Sequence, residues 1–378
     1  MWIVDRYLLR QFLQTLVICY MSLTGLYIVF DAFTNLEEFL RSGEKQGGVL
    51  ALMLTYYAYQ SVLFFDRTAG FLVLVSAMFT VTWIQRHNEM TALMSAGLSR
   101  VRVVRPVIWA AVALFMLAAF NREFIMPRFR EQLSQRPQDL VGDVAQQMQP
   151  RYDRKTDILL RGKHTFSDRK RISQPNFLLP PALDKHGRQI VAEEALFLPA
   201  EGNRPSGYLL VGVTKPTDLP SRPSLLLDGQ PVIVTPHDAP HWLQPNQCFV
   251  ASEVTFEQLT GNRGWREFAS TPELIAGLRN PSLDFGANVR VAIHSRLVQP
   301  FLDFTLLFLG LPLVLTRESR NVFIAIGLCT LVVALFMAVV IGFQHLGSTL
   351  LVSPALAAWA PLILFAPLAV GMADAMWE

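Results

Sequence analysis

Residues Trp83–Arg105 read WIQRHNEMTALMSAGLSRVRVVR, and the placement of this stretch decides how the rest of the chain is threaded. It lies between two apolar runs and carries Arg86, Arg100, Arg102 and Arg105 against one acid, Glu89. A Lys/Arg excess in a short loop between spans marks the side that is not translocated, so the loop is expected to face the cytoplasm. From Glu89 to Ala96 the residues are good helix formers, and Gly97 suits the left-handed position that ends a helix. The stretch is therefore expected to form a short, rigid amphipathic plug. Taken by itself, a short basic loop between membrane helices usually serves only to set topology.

Composition puts the surroundings of that loop in a membrane. Of 378 residues, 52% are hydrophobic and only 17% charged, and the mean hydropathy is +0.32. That is too apolar for an ordinary soluble protein of this length. A net charge of +3, with no concentrated basic run, argues against nucleic-acid binding. Cys19 and Cys329 fall in apolar runs and Cys248 in the polar middle, so no disulfide framework is available. The N-terminal MWIVDRYLLRQFLQTL lacks a small-residue cleavage site and is expected to lead into an uncleaved first span.

Outward from the loop, Gln11–Phe30 carries no charge and has the length of one span. After the acidic-leaning 31–45, the uncharged run 46–65 contains Tyr56, Tyr57 and Tyr59. If it spanned separately, the next run would have to turn back through Asp66 and Arg67 alone, and the arginine-rich loop would land outside. It is therefore expected to be an interfacial or partly inserted helix with its tyrosines at headgroup level. The second span then covers 66–85 and the third starts at Pro106, passing Asn121. Three more follow, at Arg296–Arg317, from Val322 to about Phe343, and from about Ala355 to Met372. Arg6, Arg10, the loop arginines, Arg317 and Arg320 fall on one side, which puts both termini in the cytoplasm.

Between the two sets of three, composition changes. Short β-type runs (DILLRGK, QIVAEEALFL, GYLLVGVT, PVIVTP, CFVASEVTF) alternate with Pro- and Gly-rich turns, the pattern of a β-sandwich or jelly roll. The fold class is thus an α-helical membrane protein with six spans, 3 + 3, around an inserted all-β extracytoplasmic domain. Its parts are 1–126 with the loop helix at about 85–97, 127–290 as the β-domain, and 291–378. RFREQLSQ is expected to prolong the third span as a helix. STPELIAGLRN reads as a further helix with Thr271 as cap and Pro272 in its first turn.

Reactive chemistry is scarce. The sequence holds no G-x-x-x-x-G-K-[ST], H-E-x-x-H, C-x-x-C or G-x-S-x-G. The only close histidine pair, His237 and His241, sits in a turn, and no metal site is expected there. Asp303, inside the fourth span, is either a functional intramembrane carboxylate or one near the outer end that pairs with Arg296 or faces water.

Three motifs carry a resemblance. The loop has Q-R-x-x-E followed by M-x-A-G on Gln85, Arg86, Glu89, Met94, Ala96 and Gly97; after the third span comes N-x-E-x-x-x-P on Asn121, Glu123 and Pro127; before the fourth comes H-x-R-x-x-x-P on His294, Arg296 and Pro300. In these, and in its 3 + 3 layout, the chain resembles the LptF/LptG permease family of the lipopolysaccharide export transporter. The resemblance implies a half-transporter with no cofactor of its own, ATP and Mg being held by an LptB-like cytoplasmic ABC ATPase dimer. It also implies a second LptF/LptG-like permease, a periplasmic LptC/LptA-like bridge protein, and lipopolysaccharide or a related anionic lipid as cargo in the inner membrane. The loop corresponds to the family's coupling helix. Some members place a basic residue at the outer end of the first span, whereas no Lys or Arg occurs from Gly25 to Leu40. Phosphate contacts are therefore expected from Arg41, Lys45, Arg122, Arg128, Arg130 or Arg296. A mechanotransmitting scaffold that moves no lipid, or a secondary transporter, would use the same layout differently.

Overall fold

The computed structural model describes residues 3–374 except 46–47, 141–145, 149, 167–169, 203, 228, 260–266, 280–285 and 316–321. Arg317 and Arg320, used above for orientation, lie outside the described residues, as does the side chain of Lys45. The chain divides into two compact units. One holds Met1–Leu36, Met53–Phe129 and Gly286–Glu378; the other holds Glu37–Leu52 and Arg130–Phe285.

Among the described residues six helices are long and apolar enough to cross a membrane. In the first half these are α1 (Ile3–Thr34), α3 (Val49–Arg86) and α5 (Arg100–Phe120), with α2 (Leu36–Lys45) and α4 (Glu89–Ser95) between them. Past α5 the chain stays helical through a π turn at Asn121–Ile125, a 3-10 turn at Met126–Phe129 and α6 (Arg130–Ser134), which is the prolongation expected for RFREQLSQ.

One expectation is corrected. Residues 49–65 are not a separate element, because α3 runs unbroken for 38 residues through Asp66 and Arg67. At 1.5 Å per residue that is about 57 Å, nearly twice the hydrocarbon thickness, so one helix holds both apolar runs in a single crossing. Tyr56 and Tyr57 are buried within the protein, and the Tyr57 hydroxyl donates to Asp31 Oδ2 on α1 at 2.9 Å. Asp66 is tolerated in mid-helix because Arg122 grips it, Nε to Oδ1 at 3.1 Å and Nη2 to Oδ2 at 3.0 Å. That partner is 56 residues away in sequence.

The other two spans of this unit pack around the long helix that follows the β-domain. The core joins Leu8 and Phe12 of α1, Leu72 and Leu74 of α3, and Val104 and Phe115 of α5 to Leu302 and Leu306 further on. Close approach there depends on small residues: a Cβ on Gly310 would lie 2.4 Å from Leu74 Cδ1.

In the second unit the described strands form one antiparallel sheet of eleven, β1 (Gln146–Gln147), β2 (Arg151–Asp153), β3 (Ile158–Leu160), β4 (His164–Phe166), β5 (Arg171–Ser173), β6 (Asn176–Leu178), β7 (Gln189–Leu198), β8 (Gly207–Lys215), β9 (Leu225–Leu227), β10 (Gln230–Val234) and β11 (Gln247–Ala251). The order is β1-β4-β5-β7-β8-β11-β10-β9, with β2, β3 and β6 branching from the start of β7. β7 pairs by its first half with β6 and by its second with β5. Alternation decides which side chains go inward: Ala195 opposes Leu210 and both are fully buried. Leu196 opposes Leu209 on the other face, where Leu209 packs beside Phe249 and Trp242. The inward set, including Ile158, Leu160, Tyr208, Leu210 and Val250, is a filled core. Cys248 sits in it, and burial pushes its thiol up to about 12. Since the thiolate is the nucleophile, Cys248 should resist alkylation at pH 8 in the folded protein and react fully after denaturation; mass spectrometry of the labelled chain reads this directly, and labelling without denaturant would mean the core opens.

Two short helices, α7 (Phe256–Leu259) and α8 (Thr271–Leu278), follow the sheet. The cap of α8 is one residue earlier than expected: Ser270, not Thr271, accepts from the Glu273 amide, and Glu273 returns a carboxylate to the Ser270 amide. The second set of spans is α9 (Gly286–Leu315), α10 (Val322–Ser348) and α11 (Pro354–Asp374). Interior prolines at 300, 312, 361 and 367 leave these helices continuous, as is common where neighbouring helices supply packing.

Candidate functional site

The loop between α3 and α5 is closed at both ends by local hydrogen bonds. α4 stops in a Schellman arrangement: the Gly97 amide donates to Met94 O at 2.9 Å and the Leu98 amide to Leu93 O at 3.2 Å. Gly97 has φ +83°, and a Cβ there would meet no atom within 4 Å. The demand for glycine is thus conformational, not steric. Ser99 then caps α5, its Oγ accepting from the Arg102 amide at 3.3 Å. On the inner side Met90 is buried and Leu93 and Leu98 pack against the helical core. On the other face Thr91, Met94, Ser95 and Ala96 are exposed, as is Arg86 at the end of α3.

The motif residues are tied to distant helices. Gln85 Nε2 donates to Val314 O on α9 at 3.2 Å. Glu89 accepts from the Tyr7 hydroxyl of α1 at 3.1 Å, and Arg102 Nη2 donates to Asp5 Oδ2 at 3.3 Å. Asp5 and Tyr7 went unmarked in the sequence, because nothing in a hydrophobic first span signals which of its end residues will meet a loop over 80 positions later.

The second motif sits where α5 changes pitch. Asn121 is buried, starts the π turn, and aims its Nδ2 at Val62 O of α3, 3.5 Å away. Glu123 is half-buried and Pro127 lies in the 3-10 turn. The third motif lies on α9, with His294, Arg296 and Pro300 all half-buried, and the neighbouring Ser295 Oγ accepts from Gln344 Nε2 of α10 at 3.4 Å. One turn beyond Pro300 is Asp303. It neither pairs with Arg296 nor faces water: it is 7% exposed, accepts from Gln299 Nε2 at 2.9 Å, and fits only because position 70 is glycine, where a Cβ would lie 2.5 Å from its Oδ1.

The proposed head-group cations are not equivalent. Arg122 is held by Asp66, and Arg130 lies 3.9 Å from Glu273. Arg41 and Arg128 are exposed. His237 Nδ1 lies 2.7 Å from Asp238 Oδ1, and among the described residues no cluster of three or more His, Cys, Asp or Glu gathers as a metal site.

Six apolar helices in two sets of three, with an antiparallel β-domain between the sets, define a multi-pass membrane protein with an inserted β-domain. Residues 6–173 and 212–374 match the family model described as lipopolysaccharide export system permease LptF/LptG, and the chain belongs to that family. No curated protein matches it.

Proposed function

We propose that this chain is the permease half of an ATP-driven exporter that lifts lipopolysaccharide, or a related anionic glycolipid, from the outer leaflet of the inner membrane. Both termini and the α4 loop face the cytoplasm, and the β-domain is periplasmic. A second permease of the same family completes the cavity. An ABC ATPase dimer, which holds the ATP and Mg, docks on the exposed face formed by Arg86, Thr91, Met94 and Ala96. A bridge protein receives the lipid from the β-domain. The observation that carries this reading is α4, closed at its C-terminal end by the Schellman turn at Gly97, whose buried face rests on the helical core while Gln85, Glu89 and Arg102 tie the loop to α9 and α1. A push on such an element is transmitted to α1 and α9 through these hydrogen bonds and through the packing of Met90 and Leu93 on the core. Arg41 and Arg128 remain the best candidates for lipid phosphate, followed by Arg296 and Lys45; Arg122 is committed to Asp66.

The filled core of the β-domain favours, as a second reading, a scaffold that transmits force without carrying lipid. Copurification with the ATPase, followed by lipid mass spectrometry before and after ATP, separates the two. Export predicts a bound anionic glycolipid that ATP releases, with occupancy reduced severalfold in Arg41→Gln/Arg128→Gln while basal ATPase activity is kept. A complex that hydrolyses ATP and never holds such a lipid would sink the export reading in favour of the scaffold.

A further inference from the structure

α1 and α5 are in contact and share a core that includes Leu8, Phe12, Val104 and Ala111, and a groove of about 770 Å³ opens between the two helices. Leu9 and Leu13 of α1 and Trp109 and Leu117 of α5 line it, and the small side chains of Ala110 and Ala113 keep it open. Trp109 is 62% exposed, so the groove is open laterally. Its charged groups gather at one end, where Asp5, Arg102 and Arg105 stand. Asp5 is neutralised by Arg102 at 3.3 Å. Arg105 is exposed and has no ion-pair partner among the described residues, so this end carries one uncompensated positive charge.

Dimension and charge together select an occupant. From Arg102 to Leu117, α5 rises about 22 Å, against roughly 15 Å for the hydrocarbon depth of one leaflet. The groove therefore begins at the interface beside the α4 loop and runs through the leaflet on that side. An apolar trough of leaflet depth ending in a lone guanidinium matches an amphiphile with an acyl chain and a phosphate, because guanidinium–phosphate contacts are charge-assisted and directional. We infer that the α1–α5 groove seats one anionic phospholipid of the leaflet adjoining α4, its phosphate on Arg105 and one acyl chain between Leu13 and Trp109. This site is separate from the proposed export path and uses no ATPase, so its test is independent of that reading.

The test uses the full-length chain in nanodiscs of phosphatidylcholine and phosphatidylglycerol with identical acyl chains, with native mass spectrometry counting retained lipids. The wild type should retain phosphatidylglycerol over phosphatidylcholine by about fivefold, the effect of one basic residue at a membrane surface. Arg105→Gln should abolish that preference and Arg105→Lys should keep most of it. Ala113→Phe, which fills the trough, should remove one retained lipid at unchanged thermal stability. Arg10→Gln, at the same end of α1 but outside the groove, should change nothing. The inference is overturned if Arg10→Gln lowers the preference as much as Arg105→Gln, which would make it general surface charge. It is equally overturned if a benzophenone at Leu13 crosslinks to protein and never to lipid, which would make the groove a helix-docking face.

Discussion

Arg122→Leu should be among the most damaging single substitutions in the helical unit. The guanidinium is 20% exposed and the Asp66 carboxylate only 7%, and two nitrogens reach the carboxylate within 3.1 Å. Truncating one partner leaves a buried charge uncompensated, which typically costs about 3–5 kcal/mol. We expect a large fall in folded yield and in thermal midpoint. Asp66→Asn added to Arg122→Leu should recover most of the loss, because it removes the stranded charge without restoring the pair. A double-mutant cycle with negligible coupling would show that the pair contributes nothing and that α3 tolerates Asp66 for another reason.

Gly97→Val should leave the protein folded and strip it of coupling. The position has φ +83° with open space around it, so the penalty is the left-handed conformation itself, about 1–2 kcal/mol for a residue with a Cβ and more for a branched one. That strain is relieved by unwinding the Schellman turn, which frees Leu98 and tilts the exposed face of α4. In a reconstituted complex we expect ATP-driven lipid release to fall by tenfold or more, with thermal stability nearly unchanged. Gly97→Asn should retain most activity, because asparagine tolerates this backbone region. Wild-type release by Gly97→Val would remove α4 geometry from the coupling mechanism.

These two sites mark how far the sequence could be read. Gly97 was legible because helix termination is local: good helix formers, then a glycine, then Ser99 three residues before the amide it caps. The β-domain's long strands were legible for the same kind of reason. QIVAEEALFL and GYLLVGVT alternate with the period of a pleated strand, and they are β7 and β8. Alternation alone does not say which face is inward: Ala195, not its neighbour Leu196, enters the core, and the other face is also covered by apolar residues, Leu209 beside Phe249.

What the sequence by itself determined was the class: apolar runs of bilayer length, the arginine bias of one loop, and a strand-rich middle follow from residue type and spacing, which act over a few positions. Only the tertiary structure decided that α3 is one helix. Asp66 and Arg67 look like a break in any local window, and the charge that makes Asp66 acceptable arrives from the π turn that follows α5, 56 residues downstream. The same holds for Glu89, which reads as a free acid in a basic loop until Tyr7 is found on it, and for Asp303, whose niche depends on a glycine of another helix. A buried charge is stabilised by whatever sits within a few ångströms in space, and spacing along the chain carries no record of that neighbour.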